Sequence, residues 1–395
     1  GSLLTLILFR AVQGLGAGGL IVLAQTSLAD LVSPRERGRY QGLFAAVFTT
    51  CSVAGPLLGG FITEYASWRW IFYVNLPIGA VALALIVSGL PKRVPGPAPK
   101  LDYLGALVMM AGTSCLLLLL SWGGNTYAWT SVPILLLAAV ALTCLVVLVL
   151  VERRAMQPVF PPDLFRNRTF VTAAIVLSLA AMALFSAVVF LPLMFQLLMG
   201  ASPLVAGLMI APLMGGVITA STLTGRLVAR TGRYKMLPVI GLFIATTCYF
   251  LLSWAVRASI GVPPIEVILA ALGLGMGSTM PNLTTGVQNA VARSQLGAAT
   301  ASAAFFRSLG GALGVAMAGA VVAVYLHDFM PGGWHAPSSG VLQLSSLSAT
   351  ERDAILSAYR TGLSAAFTVG AIIAALGFLI ALTLPDRPLQ PRQQG

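Results

Sequence analysis

Polar residues along this chain fall in short clusters between long apolar runs, and each run is long enough to cross a membrane as a helix. A hydrocarbon core of about 30 Å needs roughly 20 residues at 1.5 Å each. The pattern predicts eleven spans, at about 3–24, 40–62, 70–90, 102–122, 131–151, 169–199, 203–228, 236–256, 264–288, 297–325 and 355–384. The sixth and tenth are long enough to tilt or to project from the bilayer. Proline and glycine mark several junctions, as in PKRVPGPAPK (91–100) and QPVFPPDLF (157–165).

Composition agrees with the pattern. Of 395 residues, 58% are hydrophobic and only 9% charged, with a mean hydropathy of +0.92, whereas a soluble domain is about a quarter charged. The expected fold is an all-α polytopic membrane protein. The net charge of +12 is therefore a topology signal and does not point to nucleic acid, because Lys and Arg concentrate in cytoplasmic loops. Sorting the 23 basic residues puts 17 on one side, including Arg35, Arg37, Arg153, Arg154, Arg226 and Arg230. Four (Arg69, Arg257, Arg352, Arg360) fall on the other, and Arg10 and Arg307 lie within spans. The side with 17 is expected to be cytoplasmic, with the first residue outside and the C-terminus inside. Carriers commonly start inside, so an odd number of helices is expected ahead of Gly1. Cys51, Cys115, Cys144 and Cys248 lie far apart within spans and read as packing residues, with no disulfide implied.

Catalytic patterns are lacking. His327 and His335 both fall in the outer stretch HDFMPGGWHAPSSG, and there is no HExxH, P-loop or nucleophile elbow. The expectation is no enzyme activity, no metal and no cofactor. None of the eleven acids lies near a helix centre, and Glu64, at the outer end of the second span, comes closest. It is a candidate proton-coupling group, with a solvated surface acid as the alternative.

Arg10 sits about two turns inside the first span. A buried arginine is costly unless it faces a partner or a wet cavity. It either lines a cavity or snorkels to the nearer face. Gly14 and Gly18 follow one turn apart and offer a close-packing face. AGPLLGG (54–60) adds Gly55, Pro56, Gly59 and Gly60, with Pro56 expected to bend the second span. RSLGGALGVAMAGA (307–320) is another small-residue face. Such faces also serve purely structural packing, but several together fit helices that rock.

These blocks resemble the major facilitator superfamily, specifically its fourteen-helix drug:proton antiporter branch. RAVQGLGAG (10–18) is similar to that branch's fourth-helix motif, SPRERGRYQG (33–42) with AGPLLGG to its fourth-to-fifth loop and Gly-Pro antiporter motif, and WRWIFYVNLPIG (68–79) to the start of its sixth helix. GRLVARTGRYKML (225–237) resembles the cytoplasmic loop signature of the second half, although Ala229 stands where an acid is usual. Cys51 replaces the glycine usual four residues before the Gly-Pro pair.

The resemblance implies eleven helices present of fourteen, an N-terminally truncated chain. It divides the chain into the rest of an N-terminal half (1–100), two linking helices (101–157) and a C-terminal half (158–395). It also implies proton-driven export of drugs or other small hydrophobic or cationic compounds from the cell, by alternating access. Arg10 with Glu64 would couple protons. Gln13, Phe190, Phe195, Gln196, Asn282 and Gln288 would line the substrate cavity, though each is equally consistent with helix packing. Gly225, Arg226, Arg230, Gly232 and Arg233 would form a cytoplasmic gating loop. The expected partners are a small-molecule substrate, protons and the lipid bilayer, and the expected state is a monomer. A dedicated metabolite exporter or importer on the same fold, or a non-transporting fragment, remain the alternatives.

Overall fold

The computed structural model describes residues 3–32, a scattered set between 36 and 69, residues 70–89, and 102–386 apart from 125, 155–157 and 328–348. Ten helices among these are long and apolar enough to span a membrane. They are α1 (Leu3–Leu31), α2 (Asn75–Gly89, led by a turn at Trp70–Tyr73), α3 (Tyr103–Trp122), α4 (Val132–Glu152) and α5 (Arg168–Met199). The second five are α6 (Ala211–Thr231), α7 (Met236–Arg257), α8 (Val262–Asn289), α9 (Leu296–His327) and α10 (Ala349–Leu382). The expected span at 40–62 lies largely outside the described residues, and those described within it are helical.

Local chemistry accounts for the boundaries. Asp102 caps α3 by accepting from the Gly105 amide at 2.8 Å, and Asn167 caps α5 by accepting from Thr169 and Phe170 at 3.0 and 3.3 Å. Prolines occupy the first turns of α4, α6 and α8, where a missing N–H costs nothing. Gly232 ends α6 with φ of 69°, a left-handed cap suited to a residue without Cβ. Several helices exceed their expected ends, α1, α9 and α10 with an identifiable cause. α1 runs on to Leu31 because nothing breaks it before Pro34. The buried Arg37, expected in a solvated loop, donates from Nη2 to the Ala29 carbonyl at 2.6 Å and closes that end. α9 continues to His327, which therefore belongs to a helix and not to the outer loop. α10 begins at Ala349, where Glu351 and Asp353 sit near the positive end of the helix dipole.

The buried core lies in α5–α10. α8 is central, with α6 on one side and α7 on another, while α10 bridges α7, α9 and α5, and α5 meets both α9 and α8. The α3–α4 hairpin packs on itself and touches α9. α1 also reaches α9, near its own C-terminal end, where Thr26 Cγ2 comes 3.9 Å from the position a Gly297 Cβ would occupy. The described residues of α2 are all exposed.

Glycine governs how closely α5–α10 assemble. In α8, ALGLGMGS (271–278) carries glycine at every second position. A helix turns 100° per residue, so Gly273 and Gly277 share one face and Gly275 points elsewhere. Gly273 and Gly277 lie against the Leu213–Val217 backbone of α6, where a Cβ on Gly277 would meet Val217 Cα at 2.8 Å. Gly275 lies against α7, where a Cβ would meet the Gly241 carbonyl oxygen at 2.5 Å. In α9 the expected small-residue face is realised: Gly310 and Gly314 abut the α5 backbone at Ser178 and Met182. These contacts allow helix backbones to approach without a hydrophobic driving force in lipid.

Candidate functional site

Two helices that the resemblance assigns to the cavity, α5 and α8, meet within the core. Each carries a proline in its interior, Pro192 and Pro281. An internal proline removes one i→i−4 bond and loosens the helix there, which membrane helices tolerate where neighbours satisfy the freed groups. Around Pro281, Ser278 and Thr279 both donate to the Gly275 carbonyl at 2.8 Å, and Thr285 donates to the Pro281 carbonyl at 3.0 Å. The stretch around Pro281 is thus a polar seam inside an apolar bundle.

Asn282 and Gln288 lie on that seam at 1% and 2% exposure. The Asn282 amide nitrogen donates to the Ser278 carbonyl at 2.7 Å and to Thr224 Oγ1 of α6 at 3.1 Å. The Gln288 nitrogen donates to Thr300 Oγ1 of α9 at 3.3 Å. Both amide oxygens, Asn282 Oδ1 and Gln288 Oε1, are buried without a hydrogen-bond partner among the described residues. An unpaired buried acceptor costs about 1–3 kcal/mol. The two lie six residues apart on one helix, and each is an open acceptor for an N–H or O–H donor.

On α5, Phe190 and Phe195 are buried in the hydrophobic core and Gln196 is half-buried. Phe190 packs its ring tip 3.6 Å from the Gly319 Cβ position on α9. On α1, Arg10 and Gln13 are exposed side by side, and Arg10 Nη1 donates to Gln13 Oε1 at 2.8 Å. Arg10 forms no ion pair with a described carboxylate. Gly14, Gly18 and Gly55 have nothing within 4 Å of a notional Cβ, so their faces stand open among the described residues. Pro56, Gly59, Gly60 and Glu64 lie outside the described residues. The structure places Asn282 and Gln288 on one helix but turns Asn282 to α6 and Gln288 to α9, and it joins Arg10 to Gln13 on α1.

The α6–α7 connection is tight. Gly225 and Gly232 are buried, while Arg226, Arg230 and Arg233 are exposed. Thr231 Oγ1 donates to the Leu227 carbonyl at 2.8 Å and accepts from the Arg233 amide at 3.3 Å. Tyr234, which the sequence reading passed over, is buried with its ring against Gly286 of α8, where a Cβ would meet Cε2 at 2.6 Å. Its signal was an aromatic residue among basic ones in GRYKM. Asn167 was missed too: besides capping α5 it donates to the Ala290 carbonyl at 2.6 Å and ties α5 to the end of α8. Among the described residues no group of three or more His, Cys, Asp or Glu could hold a metal ion.

A family model described as Major Facilitator Superfamily matches residues 1–315. An uncharacterised MFS-type transporter of Mycobacterium tuberculosis is 36% identical over 394 residues, covering 97% of this chain and 57% of that protein. The multidrug transporter protein MdtP of Bacillus subtilis is 36% identical over 317 residues, covering 80% and 58%. The MFS efflux transporter aclA of Aspergillus oryzae is 33% identical over 410 residues, covering 97% and 72%. The chain thus spans less than two thirds of the first of these relatives. Among solved structures, a bacterial homolog of the human lysosomal transporter Spinster, inward-facing and occupied, matches with a TM-score of 0.48 and 15% identity over 92% of this chain and 91% of that one.

Proposed function

Since this chain belongs to the Major Facilitator Superfamily, we propose that it acts as a plasma-membrane carrier that exports small hydrophobic or cationic compounds in exchange for protons. The observation that carries this reading is the pair of unpaired amide oxygens, Asn282 Oδ1 and Gln288 Oε1, on a proline-interrupted helix. A cationic amine presents N–H donors to such acceptors, and apolar side chains such as Phe190 and Phe195 of α5 suit an aromatic or alkyl body. Relatives named for multidrug transport and efflux support the direction and the substrate class.

In this reading, residues 1–100 and 158–395 belong to two six-helix halves, 101–157 link them, and substrate passes between the halves. Arg10, held by Gln13, faces the passage as the group that answers to proton movement, with Glu64 as the carboxylate nearest the outer side. The basic face of the α6–α7 connection, Arg226, Arg230 and Arg233, gates the cytoplasmic end.

Dye accumulation in cells carrying the intact gene tests this directly. Wild-type cells should accumulate less dye than cells lacking the gene, and dissipating the proton gradient should erase the difference. Arg10→Ala should abolish energised efflux while the protein still inserts at normal levels. Equal accumulation with and without the gene would overturn export, and full efflux by the Arg10 variant would remove Arg10 from the coupling.

A further inference from the structure

A cavity of about 790 Å³ lies away from the α5–α8 seam, between the α3–α4 hairpin and α9. Its wall is almost wholly apolar and includes Met109, Leu116, Leu145, Phe165, Phe305 and Phe306. The aromatic part is clustered: the rings of Phe160, Phe165, Phe305 and Phe306 sit with centroids 5.4–6.4 Å apart, mostly edge to face. Along α4 the wall runs from Ala138 to Arg153, about 22 Å of helix. That exceeds the roughly 15 Å of a single leaflet's hydrocarbon.

The charged groups of the wall gather at one end. Glu152 and Arg153 line it there. The buried Glu152 carboxylate is already engaged, accepting from the Val159 and Phe160 amides at 3.2 and 3.0 Å, which folds the connector across that end. Arg153, Arg154, Arg166 and Arg168 stand exposed on the adjoining ends of α4 and α5. Asp163 offsets one of them, pairing with Arg166 at 3.8 Å. Arg153, Arg154 and Arg168 have no ion pair with a described carboxylate. The site therefore has a long apolar body and, at one terminus, a rim where four arginines outnumber the carboxylates of Glu152, Asp163 and Asp102, the last lining a neighbouring pocket with Arg154.

That polarity, along the membrane normal, is the mirror of an amphiphile with an anionic head. The geometry points to a structural site for one anionic phospholipid, with an acyl chain against the phenylalanine cluster and its phosphate on Arg153 at the cavity end, Arg154 beside it adding charge from the neighbouring pocket. Void space at hydrocarbon depth is filled by lipid in a bilayer, and basic pockets beside membrane helices recognise anionic headgroups at about 1 kcal/mol per arginine. The assignment of that end to the cytoplasmic leaflet rests on the orientation proposed above. The lipid seals the linking hairpin to α9, where protein contact is thin.

The test is native mass spectrometry of the intact purified protein, delipidated and then given vesicle lipid containing phosphatidylglycerol and phosphatidylcholine in equal amounts. One phosphatidylglycerol should be retained in preference to phosphatidylcholine. Arg153→Gln with Arg154→Gln should lower that preference by about thirtyfold, whereas Arg153→Lys with Arg154→Lys should keep it. Leu145→Trp, which adds bulk at the exposed mouth of the cavity, should abolish retention of either lipid. Equal retention of both lipids by wild type, or unchanged retention in Leu145→Trp, would overturn the site. So would a cross-linked dimer with Leu145 at its interface, because a second copy would then fill the cavity. The transport-deficient Arg10→Ala protein serves as a control: it should retain the lipid, so loss of transport and loss of this site are read separately.

Discussion

Asn282 shows how one side chain divides its chemistry. Its nitrogen is spent on α8 itself and on Thr224 of α6, while its oxygen is buried and unpaired. If the oxygen meets substrate, Asn282→Asp and Asn282→Ala should separate. The acid keeps an acceptor and should strengthen binding of cations, whereas alanine removes both functions. We expect Asn282→Ala to raise the half-saturating concentration for a cationic dye by roughly tenfold, the worth of one hydrogen bond to a charged group. An unchanged value for both variants would return Asn282 to a packing role. The sequence marked Asn282 and Gln288 as polar residues in an apolar span, which is a legible signal, but it could not show which atoms find partners. Phe190 and Phe195 were equally legible as aromatic residues, yet their burial in the core depends on neighbours from other helices. Glu64 lies outside the described residues, and its role rests on transport: Glu64→Gln should flatten the pH dependence of efflux, and an unaltered pH profile would make it a surface acid.

At the level of helices, apolar run length fixed nearly every boundary to within a few residues, because the bilayer sets how much chain must be dry. The misses have specific causes. α1 overran because polar Gln25 and Asp30 do not stop a helix when no proline or glycine intervenes. The interior prolines Pro192 and Pro281 were not singled out, although the same reasoning was applied to Pro56 in the second span. The alternating glycines of α8 also went unread: a spacing of two looks like noise until a helix is given two neighbours, one for Gly273 and Gly277 and another for Gly275. These contacts predict a contrast. Gly277→Ala drives a methyl into the Val217 backbone, which neither helix can yield, and should destabilise the protein by about 1–3 kcal/mol. Gly215→Ala, on the same α6 but with nothing within 4 Å, should leave the melting temperature unchanged. Thermal unfolding of the purified protein in detergent measures both, and equal melting temperatures would mean that the α6–α8 approach is looser than described.

Over the whole molecule, the charge sorting and the packing lead to a mechanical consequence. Glycine contacts lock α6, α7 and α8 together and α9 onto α5, while a hydrogen-bonded knot joins α7 to α10. In that knot, Ser253 Oγ lies 2.9 Å from Ser364 Oγ and 2.8 Å from Thr368 Oγ1, and Arg257 Nε donates to Ser364 Oγ at 2.6 Å. Helices locked by such close backbone contacts move as one body, because packed cores are bistable and do not deform continuously. Alternating access should then leave distances within α5–α10 constant, and the motion should fall between this body and the chain that precedes it. A covalent lock inside the body is consequently expected to be silent. With Cys51, Cys115, Cys144 and Cys248 replaced, the pair Ser253→Cys and Ser364→Cys can be oxidised across the α7–α10 contact. Dye efflux by the oxidised protein should match that of the same protein after reduction. If oxidation stops efflux and reduction restores it, α7 and α10 must slide during the cycle, and the halves do not rock as rigid units.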